Sequence, residues 1–258
     1  MTALESRRGG RPAHPIVFSD FDGTITLSDV TDEILSRLAA PGWQEIERLW
    51  IDGKIGSREC LERQLALVET SAQELNALID SIPLDPGFHN FVRFTEKSRI
   101  PFVVLSDGLD CVIRRVLAHA DLHFRPRNGS HFFSTSGRLV NGRMRVSFPH
   151  AVKSCTHGCA TCKPRIIQKL KRGHWPVIYA GDGLSDRHAV AEADFVYARQ
   201  PLLDLCREKD IPCRPFDNFK DVQDALGKWL DGEAAQELDE AARGREAWLR
   251  EQAVEASL

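Results

Sequence analysis

The 258-residue chain has no apolar run near the roughly 20 residues that a membrane span requires. The stretch from Ile100 to Leu105 is about as long as its apolar runs become, a length suited to a buried strand. It also has no surplus of one charge. Its 34 Lys and Arg against 37 Asp and Glu leave a formal net charge of -3. That balance argues against a broad basic face for nucleic acid, while a small anionic substrate needs only one local cation. Arg7, Arg8 and Arg11 near the start are followed by no apolar core, so residues 1–15 read as a polar arm and not as an export signal. The seven cysteines are an odd number and, with no export signal, are expected as reduced thiols in a cytoplasmic protein. No feature of the chain separates a monomer from a homodimer.

What the chain does have is an alternation of short apolar runs and helical patterns. Ile16-Val17-Phe18, Pro101 to Leu105, Val177 to Ala180 and Phe195-Val196-Tyr197 read as parallel core strands. Cys111 to Leu117 and Ile166 to Leu170 carry apolar residues three and four apart, as helices between them should. The pattern predicts a doubly wound α/β sheet with a Rossmann-like parallel order, in which ligands sit beyond the carboxyl ends of the strands. Between the first two strands, residues 27–86 carry several helical patterns (Asp32 to Leu38, Trp43 to Trp50, Ser57 to Val68, Ala72 to Ile79) where one crossover helix would suffice. This segment is expected to be a helical cap inserted in a core made of residues 1–26 and 87–230. Asn141-Gly142 signals a β-hairpin excursion over about 128–148. Residues 231–258, rich in Ala and Glu, are expected to form a C-terminal helix.

The chemistry concentrates where the predicted strands end. Asp20-Phe21-Asp22-Gly23-Thr24 follows the first strand, and two carboxylates two residues apart in extended chain project to one side. Taken alone, this motif fits an acidic turn as well as a site. Ser106-Asp107-Gly108 follows the second strand, with a hydroxyl and main-chain N–H groups that suit phosphate oxygens. Lys163 stands before Pro164 in the first turn of a predicted helix, where a cation can neutralise phosphate. Gly181-Asp182-Gly183-Leu184-Ser185-Asp186 ends the third strand with two further carboxylates.

These four motifs, in this order from Asp20 to Asp186, resemble those of the haloacid dehalogenase superfamily of phosphohydrolases. The inserted helices resemble the cap of its phosphoserine-phosphatase-like branch. A narrower likeness, to the phosphatases of methionine salvage, runs through Ala40-Pro41-Gly42-Trp43, Pro149-His150, Cys162-Lys163-Pro164, and Ala198-Arg199 through Cys206-Arg207-Glu208. Two departures stand out: Asp107 where the relatives usually carry glycine, and Gly42 in the Pro-x-Trp segment. Asp107 is expected to put an extra carboxylate beside the phosphate cup.

The resemblance implies a magnesium-dependent phosphatase acting on a small phosphorylated metabolite. Mg²⁺ would be held by Asp20 and Asp182 through their carboxylates and by Asp22 through its main-chain carbonyl. Asp20 would be the nucleophile and Asp22 the proton carrier. Ser106, Asp107 and Gly108 would face the phosphoryl group, Lys163 would neutralise it, and Asp186 would orient Lys163 or water. In the cap, Asp29, Glu33, Arg58 and Arg63 are candidate substrate contacts, against the commoner alternative of helix-surface charge. Cys155, Cys159 and Cys162, with His150 or His157 as a fourth ligand, are a candidate structural Zn²⁺ site, although the Cys-x3-Cys-x2-Cys spacing is unusual; thiols that shape the loop before Lys163 are the alternative. A phospho-receiver switch also uses acids, a hydroxyl and a lysine, but has neither the paired Asp20 and Asp22 nor so long a chain. A dehalogenase has no need of Asp22, and a phosphomutase keeps it.

Overall fold

The computed structural model describes residues 15–122, 124, 130–174 and 176–232. The N-terminal arm and the helix expected after residue 232 lie outside the described residues. The centre is a seven-stranded sheet in the order β4-β3-β2-β1-β5-β6-β7. Its strands are β1 (Ile16–Ser19), β2 (Phe102–Leu109), β3 (Ser130–Val140), β4 (Arg143–Ser147), β5 (Val177–Gly181), β6 (Phe195–Ala198) and β7 (Cys213–Pro215). All pairings are parallel except β3 with β4.

Every residue of β1 is buried, and the two-residue alternation of a strand sends its side chains to opposite layers. Ile16 and Phe18 join Val103, Leu105, Val177 and Tyr179 beneath α7 (Lys163–Leu170) and α8 (Leu202–Glu208). Val17 faces the other layer with Val104, Ile178 and Ala180, covered by α5 (Phe88–Lys97), α6 (Asp110–His119) and α9 (Phe219–Leu230). Phe88, Phe91, Phe102 and Phe219 pack edge-on or tilted there, with ring centroids 4.9–6.5 Å apart.

The chain leaves β1 toward β2 on one side and returns to β5 on the other, so β1 is the switch point where connections diverge and a crevice opens. Four helices stand between β1 and α5: α1 (Val30–Leu38), α2 (Trp43–Ile51), α3 (Ser57–Leu65) and α4 (Ala72–Asp80). Their starts follow local chemistry. The Asp29 side chain caps α1 by accepting from the Asp32 N–H, and Ser71 and Glu74 form a reciprocal capping box at the start of α4. The apolar faces of α1, α3 and α4 (Leu35, Leu65, Leu75, Ile79) run into the sheet core without a break. α2 differs: none of its residues is buried, and Ile51 is 52% exposed.

The hairpin forms at Asn141-Gly142, both at positive φ as a tight turn demands. It is more than an excursion, however. The first half of β3 continues the main sheet as a parallel neighbour of β2, and only Ser136 to Val140 turn away to pair with β4. The hairpin also reaches the inserted helices, since the Thr70 N–H donates to the Gly142 carbonyl at 2.8 Å.

Candidate functional site

Three chain segments converge above β1. Asp20 follows directly on β1, and its N–H donates to the Ala180 carbonyl at 2.8 Å, which fixes it beside β5. The second segment is part of β2. Register with β3 is lost between Leu105 and Leu109, so Ser106-Asp107-Gly108 bulge from the ladder, and the Ser106 hydroxyl reaches the Asp22 carboxylate. The third is the turn after β5, where Leu184–Asp186 wind into one 3-10 turn. Gly23 is at φ +71°, and a Cβ there would collide with the Asp182 carboxylate, so the first and third segments touch only because residue 23 has no side chain.

Lys163 joins them from the first turn of α7. It is 2% exposed, far from a solvated surface lysine. Its Nζ lies 2.7 Å from Asp186 Oδ1 and 3.0 Å from Asp20 Oδ2. The Tyr179 hydroxyl also donates to Asp186 Oδ1, and the Ser185 hydroxyl donates to Asp20 Oδ2. Burial acts to lower the Lys163 pKa, but the carboxylates of Asp186, Asp20 and Asp107 outweigh it and raise the pKa. Lys163 is therefore charged.

The acids are more numerous than this one cation can balance. Ligand oxygens of Asp20, Asp182 and Asp186 lie within 4.8 Å of one another, and among the described residues no other group of three or more His, Cys, Asp or Glu side chains is so close. Burial, then Asp186, push Asp20 well above the usual carboxylate range; burial, then Asp186, also push Asp182 up to about 7. Asp182 Oδ1 takes a 2.7 Å hydrogen bond from the Thr24 hydroxyl. An all-oxygen donor set whose members repel one another fits a hard divalent cation. Asp22 stands apart from this trio by its side chain. It accepts from the Ser106 hydroxyl and the Val30 N–H, both at 3.1 Å, and burial raises its pKa. The Gly108 N–H donates to the Ser106 hydroxyl at 2.8 Å, and a Cβ on Gly108 would strike the Asp22 carboxylate.

Above these groups opens a cavity of about 340 Å³, with Asp20, Asp22, Asp107, Gly108 and Asp182 in its floor. Of the candidate contacts in the inserted helices, Asp29 lines it. Glu33, Arg58 and Arg63 do not. Glu33 pairs with Arg37 along α1 and Arg63 with Glu59 along α3, both at the surface, while Arg58 is exposed and its N–H donates to the Gly158 carbonyl. The wall is instead built by residues not singled out from the sequence, among them Asp32, Glu47, Trp50, Ile51 and Leu61. They sit at ordinary amphipathic positions, with no local signal of a site. Asp107 lines the floor, yet its Oδ1 is tied to the Thr161 N–H at 2.7 Å, which directs it toward the lysine loop.

That loop also meets the inserted helices. The Arg58 N–H donates to the Gly158 carbonyl at 3.0 Å, and the Ala160 N–H to the Ser57 hydroxyl at 3.0 Å. Gly56 lies so close to Gly158 that a Cβ on it would be 2.5 Å from the Gly158 carbonyl oxygen. Within the loop, Cys155 and Cys159 have their sulfurs 3.6 Å apart, and no disulfide joins the seven cysteines. The expected Zn²⁺ site is not assembled. The His150 ring packs edge-on against Phe133 at 5.0 Å, and His157 stacks on His188 at 3.7 Å. Both imidazoles are thus engaged by other rings, and the three thiols with His150 do not form a close ligand group.

A second clamp, also unread in the sequence, holds the first motif from below. Arg199 donates to the carbonyls of Gly23 and Thr24 and pairs with the buried Asp85 carboxylate at 2.6 Å.

Comparison with known proteins agrees with this geometry. Residues 17–191 match the haloacid dehalogenase-like hydrolase family. A 2-hydroxy-3-keto-5-methylthiopentenyl-1-phosphate phosphatase from Geobacillus kaustophilus is 33% identical, covering 82% of this chain and 94% of its own. The enzyme of that name from Bacillus cereus (strain ATCC 10987 / NRS 248) is 30% identical, over 83% of this chain and 97% of its own. Among solved structures, a phospho-aspartyl intermediate analogue of phosphoserine phosphatase superposes with a TM-score of 0.63, at 17% identity over 82% of this chain and 98% of that one. A hydrolase of the same superfamily from Salmonella enterica serovar Typhi gives a TM-score of 0.61 at 20% identity, over 81% of this chain and 69% of that one. Among the described residues, no helix is long and apolar enough to cross a membrane. The chain belongs to the haloacid dehalogenase-like hydrolase family, as one of its phosphatases.

Proposed function

We propose that this phosphatase hydrolyses a small-molecule phosphate monoester in two steps through an aspartyl-phosphate on Asp20, with Mg²⁺ as its cation. One observation carries the reading. Asp20 lies at the floor of a cavity between a buried lysine 3.0 Å away and a cluster of mutually repelling carboxylates. Attack on a phosphate dianion by a carboxylate brings like charges together, and such a floor supplies the countercharge only when a cation joins Lys163.

In this reading Asp20 and Asp182 hold Mg²⁺ through carboxylate oxygens and Asp22 through its main-chain carbonyl, with Asp186 close to the same cluster. When bound, Mg²⁺ screens the repulsion between nucleophile and phosphate and stabilises charge on the phosphoryl oxygens. Asp20 attacks phosphorus, forming an acyl-phosphate bond as the ester P–O bond breaks. Asp22 gives its proton to the departing alkoxide, and its raised pKa suits an acid that is protonated at the start. It then takes a proton from the water that attacks phosphorus. That attack releases inorganic phosphate and restores the Asp20 carboxylate. Lys163 and the Ser106 to Gly108 bulge bind the phosphoryl oxygens, and Asp186 with Tyr179 keeps Lys163 aimed. Residues 27–86 serve as the cap that shields the reaction from bulk water and contacts the leaving group, over a core of residues 1–26 and 87–230.

The substrate named by the relatives, 2-hydroxy-3-keto-5-methylthiopentenyl 1-phosphate, is the leading candidate, because the likeness to those enzymes extends over 82% of the chain. The test is phosphate release from this ester by wild type and by Asp20→Asn. The wild type should turn it over in Mg²⁺, and the variant should remain folded with activity reduced by about three orders of magnitude or more. Near-normal release by the variant would remove Asp20 as nucleophile.

A further inference from the structure

The floor of the cavity handles the phosphate, and its upper wall must handle what the phosphate is attached to. Asp29, Asp32 and Glu47 face this upper space together with Trp50, Ile51 and Leu61. Among the described residues, no lysine, arginine or histidine lines the cavity. The three carboxylates have no cationic partner among the described residues either, and two of them are held by neutral donors. Asp29 Oδ1 accepts from the Asp32 N–H at 2.9 Å, and Glu47 Oε2 from the Gln64 amide at 2.7 Å. Arg187 has its guanidinium 5.9 Å from the Trp50 ring centroid and lines, with Lys163, His157 and His188, a smaller adjoining pocket that includes none of Asp29, Asp32 and Glu47. The arginines of α3, Arg58 and Arg63, are exposed and lie outside the lining.

We infer that this wall selects by charge: the enzyme acts on phosphate esters whose leaving alcohol carries no carboxylate, and Asp29, Asp32 and Glu47 are the residues that reject an anion. The inference rests on the phosphatase reading above. A carboxylate on the leaving group would need a cation or several N–H donors where the wall offers acids and apolar surface. Placing an anion beside these like charges with no cationic partner is unfavourable, the more so once the bound ester displaces the water around Asp29 and Asp32, which are exposed in the free protein. A hydroxylated or apolar leaving group meets none of this repulsion: hydroxyls can donate to the carboxylates, and an apolar tail has Trp50, Ile51 and Leu61 to cover it. Specificity of this kind comes from repulsion of the wrong partner as much as from attraction of the right one.

Matched pairs of esters test this. Glycerol 3-phosphate and 3-phosphoglycerate differ by a hydroxymethyl group in place of a carboxylate, and O-phosphoethanolamine and O-phosphoserine differ by the carboxylate alone. The wild-type enzyme in Mg²⁺ should prefer the carboxylate-free member of each pair by about tenfold or more in kcat/KM. In Asp32→Asn/Glu47→Gln that ratio should fall about fivefold or more; because it is a ratio within one enzyme, a general loss of activity cancels. Equal turnover within both wild-type pairs, or a ratio unmoved by the double substitution, would overturn the inference. The wild-type comparison stands even if the double variant does not fold. Failure of every ester, with p-nitrophenyl phosphate also inert, would instead overturn the phosphatase reading and this inference with it.

Discussion

The floor and the roof of this cavity are built on opposite terms. In the floor and directly beneath it, Asp20, Lys163, Asp186 and Tyr179 are buried, and each polar group meets a named partner. In the roof, α2 buries none of its residues, yet it brings Glu47, Trp50 and Ile51 to the cavity. Chemistry that needs fixed geometry stands on the sheet, where every displacement disturbs a packed core. Selection of the leaving group stands on a half-covered helix, where side chains can change at small cost to the fold.

The sharpest way to break this contrast is to remove the cation from the floor. Lys163→Met should abolish turnover and destabilise the protein by about 3–5 kcal/mol, because Asp20 and Asp186 would be left buried without compensation. Urea unfolding and phosphate release measure the two effects; a stable, active variant would show the floor to be as tolerant as the roof. A smaller effect is expected one layer below. Arg199→Met leaves the Asp85 carboxylate buried and unpaired and frees the carbonyls of Gly23 and Thr24, so it should cost about 2–3 kcal/mol and also lower kcat.

Protons should compete with the cation at the same floor. In the metal-free protein the Asp182 pKa is raised from 3.8 to about 7. Between those values the folded state holds a proton that the unfolded state releases, so this group's contribution to stability is lost as pH rises through that window. The cation requires the ionised form. Mg²⁺ should therefore raise the melting temperature more at pH 8 than at pH 6, and EDTA should erase the difference; an Mg²⁺ shift that is flat across this range would contradict the assignment. The smallest effect belongs to the roof. Trp50→Ala should change stability by no more than about 1 kcal/mol, since α2 is half-covered, while KM for a phosphate ester changes severalfold. A collapse of the fold in that variant would erase the distinction between floor and roof.

How much of this could be read from the sequence depended on whether a signal was contiguous. The strands β1, β2, β5 and β6 stood out as apolar runs, and the motifs at the ends of β1, β2 and β5, with Lys163 before Pro164, were compact enough to recognise. β7 escaped because it is a three-residue edge strand ending in Pro215, with little apolar content. The first half of β3 was eclipsed by the hairpin signal at Asn141-Gly142. Asp32, Glu47 and Trp50 carried no signal at all: on their helices they resemble any surface acid or half-buried aromatic, and only the packing of α1 and α2 over β1 gives them a common target. The arginines of α3 misled for the mirror reason. Charge is visible in a sequence, but the face it occupies is not.

The contact between Gly56 and Gly158 links the two halves of this design. Two backbones cross there with no side chain between them, one entering α3 and the other leading to Lys163. A methyl group on Gly56 would wedge the entry to α3 away from the lysine loop, and one on Gly158 would meet the Gly56 Cα at 3.1 Å from a backbone held at φ +62°; either disturbance would run along a few residues of main chain to the ammonium group. A lineage that reshapes its preference by rewriting α2 is free to do so only while this pair of glycines stays untouched.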